Sequence, residues 1–121
     1  MDPAGRGSDG IVTAPRPASP RAVLDDGLLG KLTRVFATYP DLESVTLFGS
    51  RATGSATPRS DIDLATRGIR DRLTLGRLAL DLEDLDVPQK IDAKALENIS
   101  YAPLVRHIES VGVVIYERPT P

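Results

Sequence analysis

The sequence predicts an α/β (α+β) domain, in which a small mixed β-sheet of about four strands carries helices packed mainly on one face. Two observations predict this fold. Short β-rich or alternating runs are separated by stretches with apolar residues at helical spacing, in the order α-β-β-α-β-α-β. The chain of 121 residues is also long enough for one compact domain with one core, and not for two.

Three stretches place their apolar side chains on one side of a helix. Asp25 or Asp26 can cap the first helix and Asp71 the second, because a carboxylate accepts hydrogen bonds from free backbone N–H groups. Pro40 ends the first helix, and Gly112 takes the C-cap position of the third. The three apolar stripes consist of Leu28, Leu29, Leu32, Val35 and Phe36; of Leu75, Leu78, Leu82 and Leu85; and of Leu104, Val105, Ile108 and Val111.

Four runs are predicted to be strands. In the second of them, Ile62 and Leu64 point to one face of the sheet, while Asp61 and Asp63 point to the other, because side chains alternate along a strand. The apolar faces are expected to pack against the helices. The predicted strands are Ser44–Phe48, Asp61–Thr66, Gln89–Leu96 and Val113–Tyr116.

The third predicted strand follows the same alternation. Ile91 and Ala93 share one face, and Lys90, Asp92 and Lys94 share the other. The polar face of the sheet therefore collects three carboxylates and two lysines. We predict that the functional site lies on this face.

The first 21 residues differ in composition from the rest of the chain. Gly, Pro, Ser and Ala dominate them, so they cannot bury enough apolar surface to offset the entropy lost on ordering. We predict that residues 1–21 are disordered and that the domain spans residues 22–118.

Composition excludes several classes of function. The net charge of −2 argues against a general nucleic-acid binder, although a local basic patch near an anionic substrate stays open. The absence of cysteine excludes disulfides, thiolate catalysis and cysteine-ligated zinc. The one histidine, His107, is interpreted as a residue of a helix surface or an interface.

No apolar run approaches the roughly 20 residues that span a bilayer, and no secretory signal pattern is found, so a cytoplasmic location without a membrane partner is expected.

The carboxylates of the polar face predict a metal site. Asp61 and Asp63 lie two residues apart with Cα atoms about 6.5 Å from each other, and Asp92 lies on a strand that can be their neighbour. At 4 Å and an effective dielectric constant near 20, each pair of carboxylates repels by roughly 4 kcal/mol. A divalent cation relieves this repulsion, and Mg²⁺ prefers oxygen ligands and substrate phosphates, so one or two Mg²⁺ ions are expected.

The bend after the first strand predicts phosphate binding. Gly49 lets the backbone approach a ligand closely, and Ser50 adds a hydroxyl donor where a short helical turn can begin. Arg51 can contact phosphate oxygens with its guanidinium group, and Lys90 can add a cation from the polar face. For Arg51 a structural salt bridge is the alternative, and for Lys90 a solvated strand face.

These residues form a pattern that resembles a known family. Residues 49–54 read Gly-Ser-Arg-Ala-Thr-Gly and residues 60–64 read Ser-Asp-Ile-Asp-Leu. Gly-Ser followed after about ten residues by Asp-x-Asp is similar to the signature of the DNA polymerase β-like nucleotidyltransferase superfamily. The small size and the ending Gly-Val-Val-Ile-Tyr-Glu at 112–117 resemble its minimal nucleotidyltransferase branch, which includes MntA-like antitoxins paired with HEPN-domain toxins. The resemblance covers roughly residues 24 to 118.

The resemblance implies a role for each matching position. It implies that Gly49 and Ser50 bind a triphosphate and that Asp61 and Asp63 ligate Mg²⁺. Asp92 matches the third carboxylate, which in the family assists the metal and helps to activate the acceptor hydroxyl. ATP is then the expected substrate and Mg²⁺ the expected cofactor.

The function implied is that of an adenylyltransferase antitoxin, which transfers AMP from ATP to a tyrosine hydroxyl of a HEPN-type toxin and releases pyrophosphate. One alternative keeps the chemistry with a small hydroxylated acceptor such as an aminoglycoside. Another is a non-catalytic antitoxin that masks its partner by contact. The base preference, the acceptor atom and a homo-oligomeric state are left open.

A basic run is interpreted as a solvated helix face, with a toxin interface or an acceptor contact as the alternative; it consists of Arg67, Arg70, Arg72 and Arg77.

Overall fold

The computed structural model describes residues 24–53 and 60–119, so the predicted disorder of residues 1–21 and the conformation of Gly54 lie outside the described residues. The elements follow the predicted order, and the short helical turn expected after the first strand is present. None of the described helices is long and apolar enough to cross a membrane. The helices are α1 Asp26–Phe36, α2 Ser50–Thr53, α3 Arg72–Glu83 and α4 Ala102–Val111; the strands are β1 Ser44–Phe48, β2 Ile62–Arg67, β3 Ile91–Ala95 and β4 Val113–Glu117; a 3₁₀ turn, Leu96–Asn98, follows β3.

The strands form one four-stranded sheet in the order β3-β2-β1-β4. β1 pairs antiparallel with both β2 and β4, whereas β2 and β3 run parallel because α3 crosses over between them. The predicted mixed sheet of about four strands is therefore confirmed. The crossover brings the two strands that carry Asp63 and Asp92 side by side.

The main core lies between one face of the sheet and helices α1 and α3. Leu32 and Phe36 of α1, and Leu78 of α3, are fully buried there against Leu47 and Leu64 of the sheet. The predicted packing of helices mainly on one face is confirmed for these two helices. Of the stripes that predicted them, the buried residues are Leu28, Leu32, Phe36, Leu78 and Leu82, and the partly buried ones are Leu29, Val35, Leu75 and Leu85.

Helix α4 packs on the opposite face and covers part of it. Ile108 forms a smaller apolar cluster with Phe48, Ala65 and Leu96. Ala65 and Leu64 are adjacent in β2, so their side chains lie on opposite faces of the sheet. The polar face predicted from the alternation is thus apolar where α4 covers it, and polar around Asp63 and Asp92.

The helix ends follow the predicted capping residues, except that α1 ends at Phe36, four residues before Pro40, with Ala37 as its C-cap. The Asp25 carboxylate accepts from the Leu28 N–H at 2.9 Å, and the Asp71 carboxylate accepts from the Thr74 N–H at 2.9 Å. Hydrogen bonds from Thr74 lower the pKa of Asp71. Gly112 takes the C-cap of α4, with φ −67°, a value open to any residue. Glycine is required at this position for lack of space, because a Cβ at Gly112 would collide with the Ile108 carbonyl oxygen and with Thr46.

Candidate active site

Strand β2 presents its aspartates to the polar face. Ile62 and Leu64 are fully buried in the main core, while Asp63 is half-buried on the other side, as the alternation predicted. Asp61 lies just before the first residue of β2 and is exposed. The strand therefore begins one residue later than predicted, at Ile62, where its N–H donates to the Lys90 carbonyl at 2.8 Å.

Asp63 and Asp92 are partners in the parallel pairing of β2 and β3. Neighbouring strands lie about 5 Å apart, so the two side chains leave the same face of the sheet side by side. Burial raises the pKa of Asp63, and the negative charges of Asp92 and then Asp61 raise it further, whereas Lys94 lowers it. Two of the three carboxylates predicted from the sequence, Asp61 and Asp92, therefore act electrostatically on the third, Asp63.

Gly49 provides the space in which the Asp63 carboxylate lies. The antiparallel pairing of Phe48 with Asp63 brings the end of β1 beside this aspartate. Gly49 follows with φ +78°, in the left-handed region that favours glycine. A Cβ at this position would stand 2.5 Å from Asp63 Oδ2, inside van der Waals contact. The glycine of the Gly-Ser pair thus permits both the bend and the approach of backbone to carboxylate.

Ser50 begins α2 directly after this bend. The Gly49 carbonyl accepts from the N–H groups of Ala52 at 3.1 Å and Thr53 at 3.3 Å, which closes the helical turn. The amide of Ser50, at the start of the turn, has no partner within the helix. The bend, the first amide of the turn and the Ser50 hydroxyl lie where the sequence places phosphate binding, which stays a prediction.

Arg51 makes a structural contact that the sequence did not predict. Its guanidinium group donates to the Ser60 carbonyl from Nε at 3.2 Å and from Nη2 at 3.0 Å. This contact connects α2 to the residue before Asp61. Arg51 therefore supports the position of Asp61, and its predicted contact with phosphate stays a prediction.

Among the described residues, Lys94 is a cation that contacts a site carboxylate. Its Nζ lies 2.6 Å from Asp92 Oδ2, and both side chains are about half-exposed. Lys90 is exposed just before the first residue of β3, and its predicted phosphate contact stays a prediction. Lys94 was not selected as a site residue from the sequence, although the alternation places it on the same face as Asp92, two residues further along. That spacing was the signal that could have identified it.

The donor atoms at this site are of the kind that Mg²⁺ binds. Within residues 24–53 and 60–119, no three acidic, histidine or cysteine side chains are already arranged as a complete metal site, and the Asp92 carboxylate contacts Lys94 instead. Carboxylate oxygens are nevertheless the ligands that a hard divalent cation prefers. Burial, and then the charges of Asp92 and Asp61, raise the pKa of Asp63, and a cation beside these carboxylates would favour its ionised form.

Comparison with known proteins identifies the class to which this fold and site belong. The family model of polymerase beta nucleotidyltransferases matches residues 30–120, which is most of the chain. The chain therefore belongs to the polymerase β nucleotidyltransferase family, as a minimal nucleotidyltransferase domain. The predicted fold and family resemblance are both confirmed by this match. No curated protein sequence matches the chain significantly.

Solved structures with the same fold include several toxin–antitoxin complexes. A chain from the crystal structure of a toxin–antitoxin with AMP-PNP is 26% identical, with a TM-score of 0.61, covering 74% of this chain and 73% of the other. A chain from a mutant of the toxin–antitoxin MntA–HpeT is also 26% identical, with a TM-score of 0.58 and coverage of 78% and 74%. A chain from the tri-AMPylated Shewanella oneidensis HEPN toxin in complex with MNT antitoxin has a TM-score of 0.57, coverage of 78% and 74%, and 21% identity, which shows the fold alone.

Proposed function

We propose that this chain is a Mg²⁺-dependent adenylyltransferase antitoxin, which transfers AMP from ATP to a hydroxyl group of a HEPN-type toxin. The observation that carries the proposal is the position of Asp63, which pairs in register with Asp92 and lies against the backbone at Gly49. A carboxylate pair beside a glycine-serine bend is the arrangement needed to hold a triphosphate and its counter-ions together.

Asp61, Asp63 and Asp92 would hold one or two Mg²⁺ ions, and Gly49 and Ser50 would bind the triphosphate. The bound metal would supply positive charge against the phosphate oxygens and the reacting oxygens. The Arg51 contact with Ser60 keeps Asp61 close to the phosphate-binding bend. In this arrangement the chain contributes mainly by holding the reactants in position and by stabilising charge.

Asp92 would receive the proton of the acceptor. It lies at the outer strand of the sheet, where an acceptor can approach, and its carboxylate is half-exposed. The acceptor oxygen attacks the α-phosphorus of ATP, the bond from the α-phosphorus to the bridging oxygen breaks, and pyrophosphate leaves with that electron pair. The products are the AMP ester of the acceptor, pyrophosphate and the proton taken by Asp92.

The identity of the partner rests on the solved structures that resemble this chain. One at 26% identity is a toxin–antitoxin with AMP-PNP, and another at the same identity is a form of MntA–HpeT. Both support a toxin as the protein that this chain recognises, and the first supports an adenine nucleotide as its ligand. A cytoplasmic location would follow from that partnership.

The proposal is tested by labelling the acceptor. The purified chain is incubated with ATP labelled at the α-phosphate, Mg²⁺ and the product of the adjacent gene. We expect label on that protein, and we expect the label to disappear with Asp61→Asn combined with Asp63→Asn. Asp41→Asn is the matched control, because Asp41 is exposed and lies outside the site.

Other outcomes would replace the proposal. Tight stoichiometric binding without label would indicate masking by contact. Label on an added aminoglycoside, and none on the protein, would indicate the small-molecule acceptor.

A further inference from the structure

Helix α3 carries apolar side chains on its outer side as well as on its inner side. Leu78 and Leu82 are 0% and 1% exposed in the main core, whereas Leu73 is 79% exposed and Leu80 is 63% exposed. Leu73 and Leu80 are seven residues apart, which is about two turns, so they lie on the same side of the helix. Large exposed apolar side chains that share one surface often mark a binding site.

Gly76 forms a notch between these two leucines. It lies three residues after Leu73 and four before Leu80, so it belongs to the same side of α3. A Cβ at Gly76 would meet no heavy atom within 4 Å. Packing among the described residues therefore gives no steric reason for glycine here, although glycine lowers helix stability relative to alanine. The same holds for Gly30 of α1, so what distinguishes Gly76 is its place between two exposed leucines, where the missing side chain lets a partner approach the backbone closely.

The notch belongs to a groove of about 370 Å³ that is lined by Arg72, Leu73, Gly76, Arg77 and Leu80. We call it the α3 groove. Both charged residues that line it are arginines, and both are exposed. An apolar stripe with cations along it is complementary to an apolar stripe with anions along it.

We propose that the α3 groove receives an amphipathic helix of the acceptor protein, with acidic side chains beside its apolar stripe. The inference rests on the proposed function, because it names the surface that holds the proposed partner. A helix lying across Gly76 would bring its backbone close to α3 while its apolar side chains pack against Leu73 and Leu80. Carboxylates beside that stripe would pair with Arg72 and Arg77.

A second copy of this chain fits the groove less well than an acidic helix does. In a twofold symmetric dimer the same surface faces itself. Each copy would then meet a groove that also carries Arg72 and Arg77, so a second copy would add positive charge and, from its groove-lining residues, no carboxylate to pair with it. The charge of the groove therefore favours a partner of different sequence.

The groove also lies where a partner could be held without occupying the catalytic residues. Helix α3 joins β2, which carries Asp63, to β3, which carries Asp92. It packs on the face of the sheet opposite to these two side chains. Binding at α3 and chemistry at Asp92 can therefore be separated by mutation.

The test compares two glycines. Gly76→Leu fills the notch, and Gly30→Leu is the matched control, because Gly30 is an internal glycine of α1 whose Cβ would also meet nothing within 4 Å. Affinity for the adjacent-gene product is measured by calorimetry. We expect Gly76→Leu to weaken binding about tenfold or more, as loss of a central interface contact does, and Gly30→Leu to bind as the wild type does. Thermal denaturation of both variants verifies that they fold.

A charge-reversal variant provides the second measurement. Arg72→Glu combined with Arg77→Glu is expected to weaken the same complex by about tenfold or more, and the loss should shrink at high salt. Unchanged affinity in either groove variant would overturn the inference, and so would the absence of any complex with the wild-type chain. A self-associated wild type that becomes monomeric in the groove variants would assign the groove to a second copy. Label transfer that depends on Asp61 and Asp63 is scored separately, so the proposed function can survive the failure of this inference.

Discussion

Asp63 and Asp92 stand side by side on parallel strands, and the charge of Asp92 makes ionisation of the half-buried Asp63 less favourable. Burial raises the pKa of Asp63, followed in effect by the charges of Asp92 and Asp61. Lys94 pairs with Asp92 rather than with Asp63. Such an arrangement makes the domain less stable than it would be with a neutral side chain at position 63, and it is retained where a site needs the charge.

The first prediction follows from that charge. A carboxyl group whose pKa is raised in the folded state contributes stability that is complete below its unfolded pKa. That contribution is lost as the pH rises through the folded pKa, and the ionised group then costs stability. At pH 7 without metal, Asp63→Asn should therefore raise the melting temperature by a few degrees. The same variant should lower nucleotidyl transfer about 100-fold or more, since it removes a proposed metal ligand.

The measurement is thermal denaturation in the presence of EDTA, at pH 7 and again at acidic pH. The difference in melting temperature between Asp63→Asn and the wild type should shrink as the pH falls, because the wild-type carboxyl group then becomes neutral too. Asp41→Asn serves as the control, and its effect should be small at both pH values. A lower melting temperature for Asp63→Asn at pH 7 would contradict the account of the site given above.

Gly49→Ala gives the second prediction. Alanine at φ +78° is strained, and its Cβ would press against Asp63 Oδ2 at 2.5 Å. The free energy of unfolding should fall by about 1–3 kcal/mol, and transfer activity should be lost with it. Gly30→Ala is the matched control in α1, where the Cβ meets nothing within 4 Å. That substitution should instead stabilise the chain by about 0.5–1 kcal/mol, since alanine favours a helix interior. Equal effects of the two substitutions, measured by urea denaturation, would rule out a special role for Gly49.

The sequence predicted the positions of the site residues better than their contacts. Alternation along β2 and β3 correctly assigned Asp63 and Asp92 to one face, because a period of two fixes the side of every residue once the apolar ones are buried. It did not predict that Lys94 contacts Asp92 or that Arg51 donates to the Ser60 carbonyl. Those contacts depend on side-chain rotamers and on how the chain returns after a loop, and neither leaves a periodic signal.

Helix α4 shows the same limit at the level of packing. Its apolar stripe correctly predicted a helix that ends at Gly112. The stripe shows that one side of a helix is covered, but it does not show which face of the sheet covers it. Ile108 packs with Ala65 and Phe48 on the face opposite to the main core, so α4 borders the polar region.

A third prediction concerns Tyr39, which belongs to the main core and not to the candidate site. Tyr39 is buried and donates a hydrogen bond to the Asp81 carboxylate. Burial, and then the contact with Asp81, raise the pKa of Tyr39 to about 12 from an ordinary value of 10.0. The raised pKa means that its contribution to stability is complete below about pH 10 and is lost as the pH rises towards 12.

Wild-type stability should therefore fall between pH 10 and pH 12 more steeply than the stability of Tyr39→Phe. At neutral pH the variant should be less stable by about 1 kcal/mol, because it lacks one hydrogen bond. Chemical denaturation across this pH range measures both effects, and Tyr101→Phe, at an exposed tyrosine, is the control. Parallel pH profiles for the wild type and Tyr39→Phe would show that the hydrogen bond does not control the titration.

The last prediction concerns the ion pair between Lys94 and Asp92. Lys94 lowers the pKa of Asp63 and engages the carboxylate proposed to accept the acceptor proton. Lys94→Met removes one positive charge from beside the three site aspartates and frees the Asp92 carboxylate from its ion pair. The chain without nucleotide should therefore bind Mn²⁺ more tightly. An exposed ion pair is worth at most about 1 kcal/mol, so the gain should be about two- to fivefold. Lys94→Arg keeps the charge and should bind Mn²⁺ as the wild type does, which separates charge from packing. Calorimetric titration with Mn²⁺ measures all three proteins, and weaker binding by Lys94→Met would mean that Lys94 helps to assemble the metal site instead of competing with the metal for Asp92.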